Sequence, residues 1–134
     1  MLDFAGLNWW AILAATVMAF AIGGLWYGPL FLKAWMKALG KTVDELPPAA
    51  APFIISFFAA LTTSIVLAAL INSLGITTVV GGLTIGMLMG VGFIAASMAS
   101  DSAFCRWGVP LFLIQSGYRV TYSIAMGGVL AVWQ

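Results

Sequence analysis

Charged residues cut the chain into long apolar runs. Residues 4–32 carry no charge, residues 46–100 carry none, and beyond Arg106 only Arg119 interrupts the sequence to its end at Gln134. A membrane-crossing helix needs about 20 apolar residues. The first run therefore holds one such helix, the second holds two with a turn between them, and the last holds a fourth. No alternation of apolar and polar residues with period 2 is present, which speaks against a barrel. The pattern predicts an all-α integral membrane protein, four transmembrane helices in a compact bundle. Its spans fall at about 8–32, 53–74, 79–100 and 110–133 of a single membrane domain, 1–134. The turn between the middle spans falls in Asn72 to Thr78, where Gly75 suits the left-handed position that closes a helix.

Composition sharpens this picture. The chain is 63% hydrophobic and 7% charged, with a mean hydropathy of +1.13, whereas soluble domains carry roughly 25% charged residues. So few charges cannot cover a soluble globule, and the lipid bilayer is the expected solvent. The net charge of +1, without a basic run, gives nucleic acid no electrostatic footprint. There is no histidine and a single cysteine, Cys105. That excludes an intrachain disulfide and leaves no metal site of the His/Cys kind, and no cofactor is expected. Asp3 is the only early charge, so the first run lacks the basic start of a cleavable signal and reads as a retained anchor.

Orientation follows from the cations. Lys33, Lys37 and Lys41 lie in the first connection and Arg106 in the third, while both termini and the second connection have none. Cytoplasmic loops are enriched in Lys and Arg, which puts both termini outside. Lys33, Lys37 and Lys41 share one side of an amphipathic inner loop, 33–46, beside Trp35, Met36 and Leu39. Each lysine is worth about 1 kcal/mol against anionic lipid, although the same lysines also serve as a bare topology signal. Trp9, Trp10, Trp26, Trp107 and Trp133 fall at span ends, where indole rings meet lipid headgroups. Trp10 and Trp26 are about 24 Å apart along a helix, close to the thickness of a hydrocarbon core.

Every span carries small residues at four-residue spacing. These are Ala11, Ala15, Ala19 and Gly23; Ala60, Ser64 and Ala68; the double GxxxG of Gly82, Gly86 and Gly90; and Ser123, Gly127 and Ala131. In lipid such stripes carry helix packing. They join helices within one chain, or else one of them, Gly82 to Gly90, forms a seam between chains.

Arg119 is the residue that most needs an explanation. An arginine at mid-span costs about 2.5 to 3.5 kcal/mol, and each large apolar residue returns about 0.3 to 0.6. Arg119 should therefore face protein. It can fix helix register by pairing or snorkelling. It can instead line a site for an anionic solute or headgroup with Gln115, Tyr118, Tyr122, Asp101 and Ser97, with an ion pair to Asp101 if the third helix extends far enough.

The stretches "NWWAILAATVMAFAIGGLWYGPLFLKAWMKALG" (Asn8 to Gly40) and "RWGVPLFLIQSGYRVTYSIAMGGVLAVW" (Arg106 to Trp133) resemble a bacterial and fungal membrane family, domain of unknown function 1761. The resemblance implies a four-helix integral membrane protein, hence a multi-pass protein of the bacterial inner (cytoplasmic) membrane. It brings no catalytic residues. The two Trp-x-x-Pro-Leu-Phe motifs, Trp26 to Phe31 and Trp107 to Phe112, read as interfacial breaks that set the inner ends of the first and last spans at one depth. Gly40-Lys41-Thr42 lacks the upstream glycine of a phosphate loop, since position 35 is Trp35. Thr42 to Glu45 matches a capping box that Pro47 and Pro48 limit to one turn. Asp44 and Glu45 are loop carboxylates, and Cys105 has no histidine base, so an enzyme is not expected.

The expected function is an assembly or accessory-subunit role, the protein packing against itself as a homo-oligomer or against a membrane-protein partner through its small-residue faces. The alternative is a small-solute or anion transporter or channel, a homo-oligomer with Arg119 lining the path.

Overall fold

The computed structural model describes residues 1–46 and 50–134, and among these every regular element is helical. The elements are α1 (Trp9–Leu25), a π-helical segment (Trp26–Leu30), α2 (Leu32–Leu39), a single 3-10 turn (Val43–Glu45), α3 (Ala50–Ser73), α4 (Val79–Met89), a second π segment (Gly90–Ala95), α5 (Ala96–Cys105) and α6 (Val109–Val132). Among the described residues three helical stretches are long and apolar enough to cross a membrane: Trp9–Leu30, Ala50–Ser73 and Val79–Cys105. The last helix, α6, is as long as α3 at 24 residues, but Gln115, Arg119 and five neighbouring hydroxyl residues dilute its apolar character.

Local sequence explains the boundaries. Asn8 caps α1, its side-chain oxygen accepting from the N–H groups of Trp10 and Ala11 at 3.1 and 3.2 Å. At the other end Pro29 has no N–H to give, and Gly28 leaves helical geometry altogether at φ −105°, ψ −106°. The chain widens there into a π turn, in which the Phe31 N–H donates to the Trp26 carbonyl at 2.9 Å. Gly75, at φ +67°, ends the α3 turn, and the Thr78 hydroxyl caps α4 by accepting from the Gly81 N–H at 3.1 Å. The third helical stretch runs to Cys105, beyond the expected boundary near residue 100. It stops where Arg106 adopts left-handed φ +56°, followed by Gly108 at φ +81°. Pro110 then sits in the first turn of α6, where a missing donor costs little. The Thr42 hydroxyl reaches the Glu45 carboxylate at 3.2 Å, and the turn it opens is one 3-10 turn. Pro47 and Pro48, expected to end that turn, lie outside the described residues.

Helix α6 is the centre of the fold: α1, α2, α3, α4 and α5 all pack on it, whereas α3 and α4 barely touch one another. The closest approach is between α4 and α6. A Cβ placed on Gly82 would collide with the Gly127 carbonyl oxygen, and one on Gly86 with the carbonyl oxygen of Ser123. A Cβ on Gly90 would stand 3.0 Å from the Cα of Val120. The double GxxxG stripe is thus filled by α6 of the same chain. That corrects the alternative in which Gly82 to Gly90 joins two chains: the face is already occupied. Ala15 and Ala19 are fully buried, and Gly23 receives the ring of Tyr118.

Polarity is distributed inside out. Val80, Ile55 and Phe93 are 73, 69 and 69% exposed, while Thr16, Ser64 and Ser123 are wholly buried. The Ile12 carbonyl accepts from Thr16 Oγ1 at 2.8 Å and from Ser64 Oγ at 3.1 Å, which ties α3 to α1. A buried hydroxyl bonded across two helices, beneath an apolar exterior, is the arrangement that lipid as solvent favours.

Candidate functional site

Around the first half of α6 the helices present their aromatic residues to one another. Successive turns of α6 carry Gln115, Tyr118, Arg119 and Tyr122. Tyr118 packs edge-on against Tyr122 at 5.0 Å between centroids and against Tyr27 of the π segment at 5.4 Å. Tyr27 in turn meets Trp35 of α2 at 4.7 Å. An unbroken aromatic file therefore leads from the amphipathic helix α2 to the middle of α6. The Tyr118 hydroxyl donates to the Ala19 carbonyl at 2.9 Å, which locks the file to α1.

Arg119 lies beside this file. Its Nη1 donates to the Gln115 carbonyl one turn back at 2.9 Å, and its guanidinium carbon stands 6.0 Å from the centre of the Tyr118 ring. The charge is close enough to the Tyr27 and Tyr122 hydroxyls to interact with both. A guanidinium carries five donors; here the Gln115 carbonyl takes one of them, and the Tyr27 hydroxyl lies within reach of another. None of the four carboxylates of the chain compensates it. Asp3 accepts from the Ala5 N–H near the opposite end of α1, Glu45 accepts from Thr42, and Asp44 and Asp101 are exposed.

Of the five residues expected around Arg119, three lie beside it: Gln115, Tyr118 and Tyr122. Asp101 and Ser97 do not, although α5 extends far enough for the ion pair. Both side chains sit on the exposed side of the stretch that follows the Gly90–Ala95 π segment. The expectation rests on depth along the third span, which does not say on which side of the helix a residue falls. Tyr27 and Trp35 belong to the site without having been foreseen. Tyr27 follows the break at Trp26, where α-helical spacing no longer tells which way a side chain points. The Trp35 indole N–H is buried without a partner.

The tryptophans divide into two groups. Trp9, Trp10 and Trp133 are exposed, as are Lys33 and Lys37, and Trp107 is half-buried. Trp26 departs from the expected headgroup anchor. Its indole N–H donates to the Ile114 carbonyl at 3.0 Å and its six-membered ring lies over Gly117. A donor satisfied inside the fold is not available to a headgroup. The same bond does hold the ends of α1 and α6 level, close to Pro29 and Pro110.

A second feature adjoins the site. Where α3 and α4 diverge, a crevice of about 200 Å³ opens, lined by Thr62, Thr63, Val66, Leu67, Met89, Ile94 and Ser123. Thr63 lies next to the Tyr122 hydroxyl, and the Ser123 hydroxyl is buried with no partner.

A family model described as "Protein of unknown function (DUF1761)" matches residues 10–131. No curated protein and no solved structure matches the chain.

Proposed function

From a chain that belongs to the DUF1761 family over nearly its whole length, with no activity attached to that family, we propose that this is a multi-pass membrane protein that binds an anionic group at Arg119. The protein crosses the bilayer four times with both termini outside, α6 being the fourth span, in a cytoplasmic membrane. The cations Lys33, Lys37, Lys41 and Arg106 support that orientation.

The observation that carries the reading is the uncompensated charge of Arg119 beside three tyrosines. A charge within a span is costly unless something pairs with it, and no carboxylate of this chain does. The guanidinium retains free donors in the fork arrangement that suits carboxylate and phosphate oxygens. An assembly role through small-residue faces has less support, because those faces are taken up within the chain.

The test is saturable binding of labelled inorganic phosphate and of acetate to the protein in zwitterionic lipid nanodiscs. Binding is expected with the wild type, weaker binding with Arg119→Lys, and none with Arg119→Gln. Equal binding by wild type and Arg119→Gln, or none by the wild type, overturns it.

A further inference from the structure

Around the crevice between α3 and α4 the threonine hydroxyls are engaged, and one serine is not. Thr62 and Thr63 donate to the carbonyls of Phe58 and Ala59 one turn back, at 2.7 and 3.0 Å. On α6, Ser116 and Thr121 do the same to Phe112 and Gly117, each at 2.7 Å. Such bonds to the preceding turn are the ordinary fate of a hydroxyl inside a helix. Ser123 makes none. It is wholly buried, its hydroxyl has no partner, and it lines the crevice. A buried donor left unpaired is costly, and here the acceptor has to come from whatever fills the space.

The remaining walls decide what that occupant is. Val66, Leu67, Met89 and Ile94 are apolar, and no lining residue is charged. Met89 and Ile94, five residues apart, both line the crevice, and the backbone from Gly90 is π-helical; single π turns inside helices recur at functional sites. The space measures about 200 Å³, far more than one water fills. An apolar cavity of roughly 150 Å³ stays dry and takes benzene, whereas pockets for drug-sized ligands begin near about 300 Å³. The volume thus matches one ring with a small substituent. The walls on either side belong to two stretches apolar enough to cross a membrane. Where these diverge the crevice opens sideways, so its occupant is drawn from hydrocarbon and carries no charge.

We propose that this crevice binds an uncharged, ring-sized molecule bearing a carbonyl, such as an aryl ketone or a quinone ring, whose oxygen accepts from Ser123 Oγ while the ring rests on the apolar walls. Arg119 does not line the crevice, and this site is independent of the anion reading.

The experiment follows para-fluoroacetophenone and its hydrocarbon counterpart para-fluorocumene by fluorine NMR, with the protein in zwitterionic nanodiscs and empty discs subtracted. A ketone is the better probe because a quinone would add to the exposed thiol of Cys105. Wild type is expected to bind the ketone saturably and about fivefold more tightly than the hydrocarbon, a factor that one buried hydrogen bond supplies. Ser123→Ala removes only the hydroxyl. The ketone should then fall to the affinity of the hydrocarbon, whose own unchanged binding reports an intact fold. Val66→Phe, at a partly exposed lining position, should weaken both probes. If Ser123→Ala keeps the preference, or wild type shows none, the hydroxyl does not select the guest, plain hydrocarbon such as a lipid tail fills the space, and the inference fails. It fails equally if neither probe saturates on wild type or if Val66→Phe leaves both affinities unchanged.

Discussion

The Tyr118 hydroxyl donates to the Ala19 carbonyl at 2.9 Å, a bond between α6 and α1. The ring reaches that carbonyl only because residue 23 has no side chain: a Cβ there would stand 2.9 Å from the hydroxyl oxygen. One glycine and one phenol thus hold two helices in register, and Arg119 occupies the next position along α6.

Tyr118→Phe retains the ring and removes only this bond. In a membrane setting such interhelical bonds average about 0.6 kcal/mol, so a small loss is expected. Gly23→Leu must displace the ring as well and should cost several-fold more, despite leucine's better helix propensity. Unfolding of each variant in mild detergent, followed by circular dichroism, orders them. Equal stability of Gly23→Leu and wild type would mean that Tyr118 does not occupy that space.

The α4–α6 seam calls for a sharper contrast. At Gly86 the obstructing atoms are backbone, the carbonyl of Ser123 and the Cα of Ile124, which have no rotamer through which to yield. Gly86→Ala should therefore force the helices apart and destabilise the monomer by about 1–3 kcal/mol, the usual scale of overpacking. Gly24→Ala is the control, because open space surrounds it, and it should gain up to about 1 kcal/mol from helix propensity alone. Unfolding transitions in detergent compare the two. If Gly86→Ala alters only the particle's oligomeric state, the seam lies between chains after all.

How much of this was legible beforehand depended on whether the backbone kept one helical period. Where it does, spacing and backbone agree: Gly82 and Gly86 are buried on one face of α4, and Gly75 takes left-handed φ at the turn. Pro29 and Gly28 announced a break, but nothing in "WYGPLF" says that the break is a π turn or that Tyr27 swings toward Tyr118. The second π turn lies in "GVGFIA", which contains no proline to signal it. Depth along the third span puts Asp101 and Ser97 level with Arg119, but depth does not fix the face, and both are exposed. The crevice was illegible for a different reason: it exists because α3 and α4 diverge, and divergence is a property of pairs of helices that no single stretch encodes.

Trp26 and Gly117 should be coupled. A Cβ on Gly117 would lie 3.1 Å from the indole ring, so Gly117→Leu should be strongly destabilising on the wild-type background. Trp26→Phe removes the ring atoms nearest that position, along with the bond to the Ile114 carbonyl. The double variant should be more stable than the sum of the two losses predicts, by about 0.5 to 3 kcal/mol. A double-mutant cycle on unfolding free energy measures this. Strict additivity would place Trp26 elsewhere.

Cys105 offers a test of orientation that needs no added cysteine. It is the only cysteine in the chain, it is exposed at the end of α5, and it precedes Arg106, one of the cations that mark the proposed inner side. A membrane-impermeant maleimide added to sealed right-side-out vesicles should therefore leave the protein unlabelled, and the same reagent should label it in inverted vesicles. The reverse pattern would put both termini inside and turn the Lys33–Lys41 helix outward, against the charge distribution. The proposed anion site at Arg119 would survive such an inversion, because its chemistry depends on α6 and its neighbours. Only the side from which a small anion reaches it would change. Labelling from both sides would mean mixed insertion, the outcome expected if these few cations do not suffice to set one orientation.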